Sequence, residues 1–284
     1  MSKDNKAVAS INSGETFAIE TSKPGIPDEV FTKDYRTEPF PTRILTITGP
    51  VFVNGAMPGD CLKISIENIE LDNEGKMWMG QWMGVLMHQV DHCYMKNVKV
   101  EDGYVLLDEA NKFPVRPMIG TIGTAPANEA IDCLSPGDHG GNMDSLSVTS
   151  GNTLYLPVNV EGALLSVGDV HAAMGYGEIF GTGVEIGSIV TLTVDVIKNK
   201  QLIHPIVETE NSYIILVSSA TFDEAAVEAA NSAAKLFMEL NACSFDVAYA
   251  LAGQTADMRI EQIANPLVTL SMEIPKYMLK NILF

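Results

Sequence analysis

The segment CLKISIENIE (residues 61–70) decides the fold class. Its apolar residues Leu62, Ile64 and Ile66 alternate with Lys63, Ser65 and Glu67, a period of two that marks a strand with one face in a core. On its N-terminal side, MPGD (57–60) is a turn, RILTITGP (43–50) reads as a strand ending in a turn, and VFV (51–53) leads to the hairpin signal Asn54-Gly55. Residues 1–40 read as a polar, irregular arm, with TSKPGIP (21–27) rich in turn formers. On its C-terminal side, Val98 to Phe113 reads as a short hairpin turning at Glu101, Asp102 and Gly103. The stretch FPVRPMIGTIGTAP (113–126) carries too much Pro and Gly for a helix. Further strands are expected at 153–160, 163–167, 179–186, 188–197, 203–207 and 212–219.

The composition then switches. Residues 223–240 are rich in Ala, Glu and Lys, and Thr221-Phe222-Asp223-Glu224 fits a capping box, so an amphipathic helix starts here. A second, shorter helix is expected from Ser244 to Gly253, and LVTLSMEI (267–274) reads as a closing strand. The expected architecture is α+β. A mainly β body, sandwich or barrel, spans 1–205 with the N-terminal arm, and a small β-α-α-β element spans 206–284 and packs on it.

Eighteen Lys and Arg against 36 Asp and Glu give a formal charge of −18. Such a surface repels phosphate backbones and anionic lipid headgroups, so nucleic-acid and membrane partners are disfavoured and a neutral or cationic ligand is favoured. Cys61, Cys93, Cys133 and Cys243 lie far apart with no C-x-x-C pair, which reads as reduced thiols. The first residues lack the apolar core of a signal peptide and no apolar run is long enough to span a bilayer, so a cytoplasmic location is expected.

Two segments concentrate chemistry. SVGDVHAAMGYGE (166–178) holds Asp169, His171 and Glu178 among Gly168, Gly175 and Gly177, the residue types of a metal or acid/base site. SPGDHGGNMD (135–144) has the same vocabulary, with His139, Asn142 and Asp144. The shared S-x-G-D, 31 residues apart, raises the expectation that both lie at one end of neighbouring strands. HQVDH (88–92) places His88 and His92 four apart, as in H-E-x-x-H but with Gln89 where the Glu belongs. Plainer roles stand beside these: a turn cap for Asp144, a loop bridge for Asn142, a pair with Arg116 for Glu185, a structural His204. MWMGQWM (77–83) has the composition of an adaptable core or interface patch.

GGNMD (140–144), LYLPVNVEGALLSVGD (154–169), HAAMGYGE (171–178) and GTGVEI (181–186) closely resemble the acetamidase/formamidase family, as do the turn before residue 61 and the stretch from Tyr249 to Lys276. The chain departs from the family where Tyr176 stands in a G-D-G-E pattern, and in carrying His139. The resemblance implies hydrolysis of a small neutral amide such as formamide or acetamide to a carboxylate and ammonia. It also implies a mainly β fold with an α/β appendage, a homodimer or higher oligomer, and a divalent metal. On this reading Asp169 and His171 bind the metal with Asp144 or His139, and His88 or His92 completes the shell. A mixed His/carboxylate set suits Zn2+, with Mn2+ or Fe2+ next, whereas Ca2+ prefers oxygen alone. Glu178 is then the general base, and Asn142 with backbone amides holds the oxyanion. A Cys133 nucleophile with a His/Glu partner is the alternative mechanism, and a non-catalytic amide or metal binder, favoured by Tyr176, the alternative class.

Overall fold

The computed structural model describes residues 1–22 and 45–284. Its strands are β1 (Ala9–Asn12), β2 (Glu15–Thr21), β3 (Ile47–Asn54), β4 (Cys61–Met79), β5 (Tyr94–Glu101), β6 (Tyr104–Leu106), β7 (Lys112–Pro114) and β8 (Met118–Gly123). They continue with β9 (Gly140–Asn142), β10 (Thr153–Pro157), β11 (Leu165–His171), β12 (Glu185–Ile197), β13 (Ile206–Glu208), β14 (Ser212–Ser219), β15 (Asp257–Gln262) and β16 (Val268–Pro275). Two helices, α1 (Phe222–Asn241) and α2 (Phe245–Thr255), separate β14 from β15. The expected class, mainly β with a small C-terminal α/β element, is what is found.

The period of two in 61–70 works as expected: Leu62, Ile64 and Ile66 are buried while Glu67 is exposed. The strand runs nine residues further, and β12 pairs with it antiparallel from Cys61↔Ile197 to Lys76↔Glu185. Val190, Leu192 and Val194 of β12 join the same core, which β3, β8 and β11 complete. One continuous sheet then runs from β4 through β10, β13, β14 and β16 to the edge strand β15. A second core forms where α1 lays Ala229, Ala233, Leu236 and Phe237 over Tyr213, Ile215 and Met272. Its helix begins as the capping box requires, with Thr221 Oγ1 accepting from the Glu224 amide at 3.2 Å.

Several expectations are corrected. The arm is not wholly irregular: β1 pairs parallel with β3, and β2 pairs antiparallel with β12. Most of the turn-rich 21–27 stretch lies outside the described residues, as does the start of the 43–50 strand. Gly49 and Pro50 do not end that strand, and Asn54-Gly55 does not close a hairpin, because β3 pairs with β1 and β11 while β4 pairs with β10 and β12. Residues 179–181 are turn and bend and 182–184 are irregular, so β12 begins only at Glu185. The C-terminal unit contains an additional strand, β15, paired with β16.

Candidate active site

Three neighbouring strands and two turns bring five ionisable side chains together. The β11/β12 register sets His171 directly opposite Glu185. Two residues before His171, Asp169 faces the same way, as alternate strand residues do. Opposite it on β8, Gly120 makes room: a Cβ there would sit 2.4 Å from Asp144 Oδ1 and 2.8 Å from Asp169 Oδ2. Asp144 follows β9, and Glu178 follows the Gly175-Tyr176-Gly177 turn. Ligand-type atoms of Asp144, His171 and Glu178 lie within 4.8 Å of one another, and so do those of Asp169, His171 and Glu185. Asp144, Asp169 and Glu178 all adopt left-handed backbone conformations, with φ of 45°, 58° and 45°. Side-chain residues pay about 1 to 3 kcal/mol for such angles, a strain that clusters at functional sites.

His171 Nε2 stands 3.1 Å from Glu185 Oε1, 3.6 Å from Asp169 Oδ1 and 3.9 Å from Asp144 Oδ1. It is nevertheless aligned for a hydrogen bond with none of them, and Asp144 Oδ1, Glu178 Oε2 and Glu185 Oε2 also lack hydrogen-bond partners. The other contacts anchor the group from behind. Thr121 Oγ1 donates to Asn142 Oδ1 at 2.6 Å and lies 3.2 Å from Asp169 Oδ2, and Asn265 Nδ2 donates to Asp144 Oδ2 at 2.7 Å.

All five side chains are buried, and four carboxylates face one imidazole. Burial, with Asp169 nearby, pushes Asp144 up to about 6 against the pull of His171. Burial pushes Glu185 up to about 8 in the same way. Glu178 rises well above the usual carboxylate range through burial and the charges of Asp144, Glu185 and Asp169. Asp169 is held below its ordinary value despite burial by the neighbouring His171 imidazole. His171 is raised despite burial by Glu185 and Asp169. A dry cluster with more acids than bases needs protons or a cation to balance it. Unpaired oxygens and an imidazole, in two groups that share His171, offer donor sets that fit a divalent cation.

A cavity of about 160 Å³ opens onto this group, close to the ~150 Å³ of a cavity that accepts one benzene-sized molecule. Asn142, Asp169, Glu178, Glu185 and Asn265 provide its polar floor, and Trp78, Trp82, Met83 and Leu134 its apolar walls. Trp78 is fixed by a two-way backbone exchange with Thr182 Oγ1, at 3.2 and 2.9 Å. Of the Met/Trp patch, Trp78, Trp82 and Met83 thus line this cavity, while Met77 packs against the core.

Of the residues singled out in the sequence, the structure brings together Asp144, Asp169, His171, Glu178 and Asn142. His88 and His92 are not brought in: both are exposed, His88 in a single 3-10 turn (Met87–Gln89) where four-residue spacing does not align side chains. His139 joins neither group of ligand atoms; its ring packs by Gly137 and Gly141, and burial with the nearby N-terminal ammonium pushes it down to about 4. His204 bridges Asp138 and Glu228 at 2.8 and 3.2 Å, a structural role. Cys133 Sγ points to Leu45 O at 3.7 Å and its thiol is pushed up by burial, opposite to what a nucleophile needs. Glu185 belongs to the cluster rather than to Arg116, whose guanidinium lies 6.0 Å from the Tyr176 ring. Sequence reasoning did not single out Thr121, Gly120 or Asn265. The alternation in 184–186 was the available signal for Glu185, since a carboxylate between Val184 and Ile186 has to turn away from them.

A sequence model of the Acetamidase/Formamidase family matches residues 2–134 and 127–276. This chain belongs to the Acetamidase/Formamidase family. Within that family it is similar to the crystal structure of an acetamidase from Bacillus halodurans, 37% identical with a TM-score of 0.91 over 98% of this chain and 94% of that one. A recombinant predicted acetamidase/formamidase from Thermoanaerobacter tengcongensis is 38% identical, also with a TM-score of 0.91, over 97% and 92% of the two chains. An acetamidase of Mycolicibacterium smegmatis is 41% identical over 80 residues, 28% of this chain. Curated relatives are matched over only 20 to 61% of their own lengths.

Proposed function

We propose that this family member hydrolyses small aliphatic amides, formamide and acetamide being the type substrates, to a carboxylate and ammonia, with a bound divalent cation, zinc before manganese or iron. The observation that carries the reading is the small cavity, walled by two tryptophans and floored by buried acids whose oxygens converge beside an imidazole. Asp144, Asp169, His171 and Glu185 would hold the cation. Bound there, a divalent ion polarises a carbonyl and brings the pKa of water from about 15.7 towards ~7.

The remaining steps fall to the chain itself. Trp78 and Trp82 cover the acyl group and shed water, which favours a short, neutral substrate over a charged one. Asn142 is held by its Oδ1 on Thr121, which leaves its amide nitrogen as the donor on the cavity side for the developing oxyanion. Glu178 takes a proton from the attacking water and delivers it to the departing nitrogen. The new C–O bond forms first, with the carbonyl π pair moving onto oxygen, and the C–N bond then breaks as the oxyanion collapses and the protonated nitrogen leaves as ammonia. A carboxylate whose proton affinity is raised by burial suits both halves of that transfer. A homodimer or higher oligomer is part of the proposal, supported by exposed Val85, Leu86 and Met87 beside exposed Ile179, and sedimentation velocity checks it.

The test is ammonia release from formamide and acetamide by protein of measured metal content, before and after chelation. Loss on chelation and rescue by zinc are expected, with indifference to thiol alkylation. Metal-loaded protein that releases no ammonia from any small amide overturns the reading. Glu178→Gln is expected to retain metal and lower kcat by about 10² to 10⁴.

A further inference from the structure

We propose that Asn265 recognises the amide nitrogen of the substrate, so that the C-terminal element supplies the part of the site that tells an amide from a ketone or other carbonyl compound of the same shape. This rests on the amidase reading above.

Asn265 lines the cavity together with Ala264 and Pro266, on the turn between β15 and β16. Its amide group is held in one orientation. Nδ2 donates to Asp144 Oδ2 at 2.7 Å and to the main-chain oxygen of Asn142 at 3.0 Å, which engages both of its hydrogens. A main-chain oxygen only accepts, so the flipped amide would set oxygen against oxygen. Oδ1 is thereby fixed on the opposite side of the planar group, and it makes no hydrogen bond among the described residues. A cavity that receives a neutral amide has to meet two kinds of polar atom. The carbonyl oxygen needs donors, but the NH2 group needs acceptors, and Asn265 Oδ1 is a neutral acceptor among ionisable ones.

The turn that carries Asn265 is built for fixed placement. Gln262 is fully buried. Its Oε1 accepts from the amides of Ala264 at 3.0 Å and Asn265 at 2.9 Å, while its Nε2 donates to Leu267 O at 2.7 Å and Thr269 Oγ1 at 2.8 Å. Every donor and acceptor of that side chain is matched, so it holds the loop from inside as a secondary-structure ladder would. The same segment also reaches the turn before Glu178: Gly177 N donates to Glu261 O at 2.8 Å, and Ile263 N donates to Gly177 O at 3.1 Å. Glu261 Oε2 accepts from the amide of Leu146 at 3.3 Å, just beyond Asp144. Residues 261–265 thus tie together both turns that present the acids, and Asn265 is their projection into the cavity. A neutral asparagine at this point adds recognition without adding another negative charge to an already acid-rich floor.

The experiment compares the protein with Asn265→Ala, using acetamide as substrate and acetone as a competing ligand in which a methyl group replaces NH2. Asn265→Ala is expected to lower kcat/KM for acetamide by at least about 5- to 10-fold, the loss of one neutral hydrogen bond to substrate, with the lost Nδ2 bonds to Asp144 and Asn142 adding to it. The inhibition constant of acetone should stay within about twofold, since acetone offers no N–H to lose. A parallel weakening of acetone, or an unchanged kcat/KM for acetamide, overturns the assignment and makes Asn265 a purely structural residue. Circular dichroism and metal content are measured on both proteins. If Asn265→Ala fails to fold, Asn265→Ser, smaller but still polar, takes its place in the same comparison. Failure of the unsubstituted protein on every small amide is a different result and refutes the amidase reading itself.

Discussion

Two segments of this chain are written in nearly the same letters, Ser135-Pro136-Gly137-Asp138-His139 and Ser166-Val167-Gly168-Asp169-Val170-His171, and they end in opposite places. In the second, one residue separates the acid from the histidine. Both lie on β11, where residues two apart share a face, and both enter the buried cluster. In the first, acid and histidine are adjacent and part ways: Asp138 meets His204 at an exposed position, while His139 is buried among glycines. Both contain a serine, a glycine, an acid and a histidine in that order. Spacing, read against local backbone geometry, decided which segment makes a site.

The sharpest way to break this contrast is to remove the polar group from each segment in turn. His171→Ala or Asp169→Asn is expected to lower bound divalent metal and to cut amide turnover by about 10³-fold or more. His139→Ala should leave turnover within about threefold, and metal analysis beside an ammonia assay distinguishes the two. An equal loss from His139→Ala would erase the contrast. Next in size is Gly120→Ala, whose added methyl would press on Asp144 and Asp169. Overpacking of this kind costs about 1 to 3 kcal/mol, seen as a lower unfolding midpoint in urea. The accompanying misplacement of the acids should reduce kcat about 10²-fold.

The smallest effect concerns the segment that stayed outside. His204 is pushed down by burial but raised overall by its bonds to Asp138 and Glu228. A group with a raised folded-state pKa stabilises fully below its unfolded value near 6.5, and that contribution is lost as pH rises through the higher folded value. His204→Gln should therefore lower Tm more at pH 5.5 than at pH 9. A Tm difference independent of pH would show that Asp138 and Glu228 do not act on it as charges.

How far the sequence could be read follows the same physics. The strand at 61–70 and the helix at 221 were legible because each rests on a local rule, period two in one and a capping box in the other. β15 was not: Met258 and Ile260 are exposed at a sheet edge, so DMRIEQ has no buried face to impose a clean alternation until Glu261 and Gln262 turn inward. Asp169, His171, Glu178 and Asp144 stood out because acids and histidine cluster among glycines. Glu185 was marked only by its place between Val184 and Ile186, and its role depends on a single cross-strand pairing with His171. Asn265 was harder still, since an asparagine before Pro266 has many local uses as a turn residue. Its meaning arises only when β15 and β16 carry it more than 120 positions back along the chain, to Asn142 and Asp144.

The chain contains two tryptophans, and both stand in the wall of one cavity. Their emission is consequently a built-in optical probe of that wall, undiluted by indoles elsewhere. Titrating the unlabelled protein with a divalent ion, or with an amide, would change the colour and yield of light from Trp78 and Trp82, excited at the red edge of the absorption band where the eight tyrosines do not absorb.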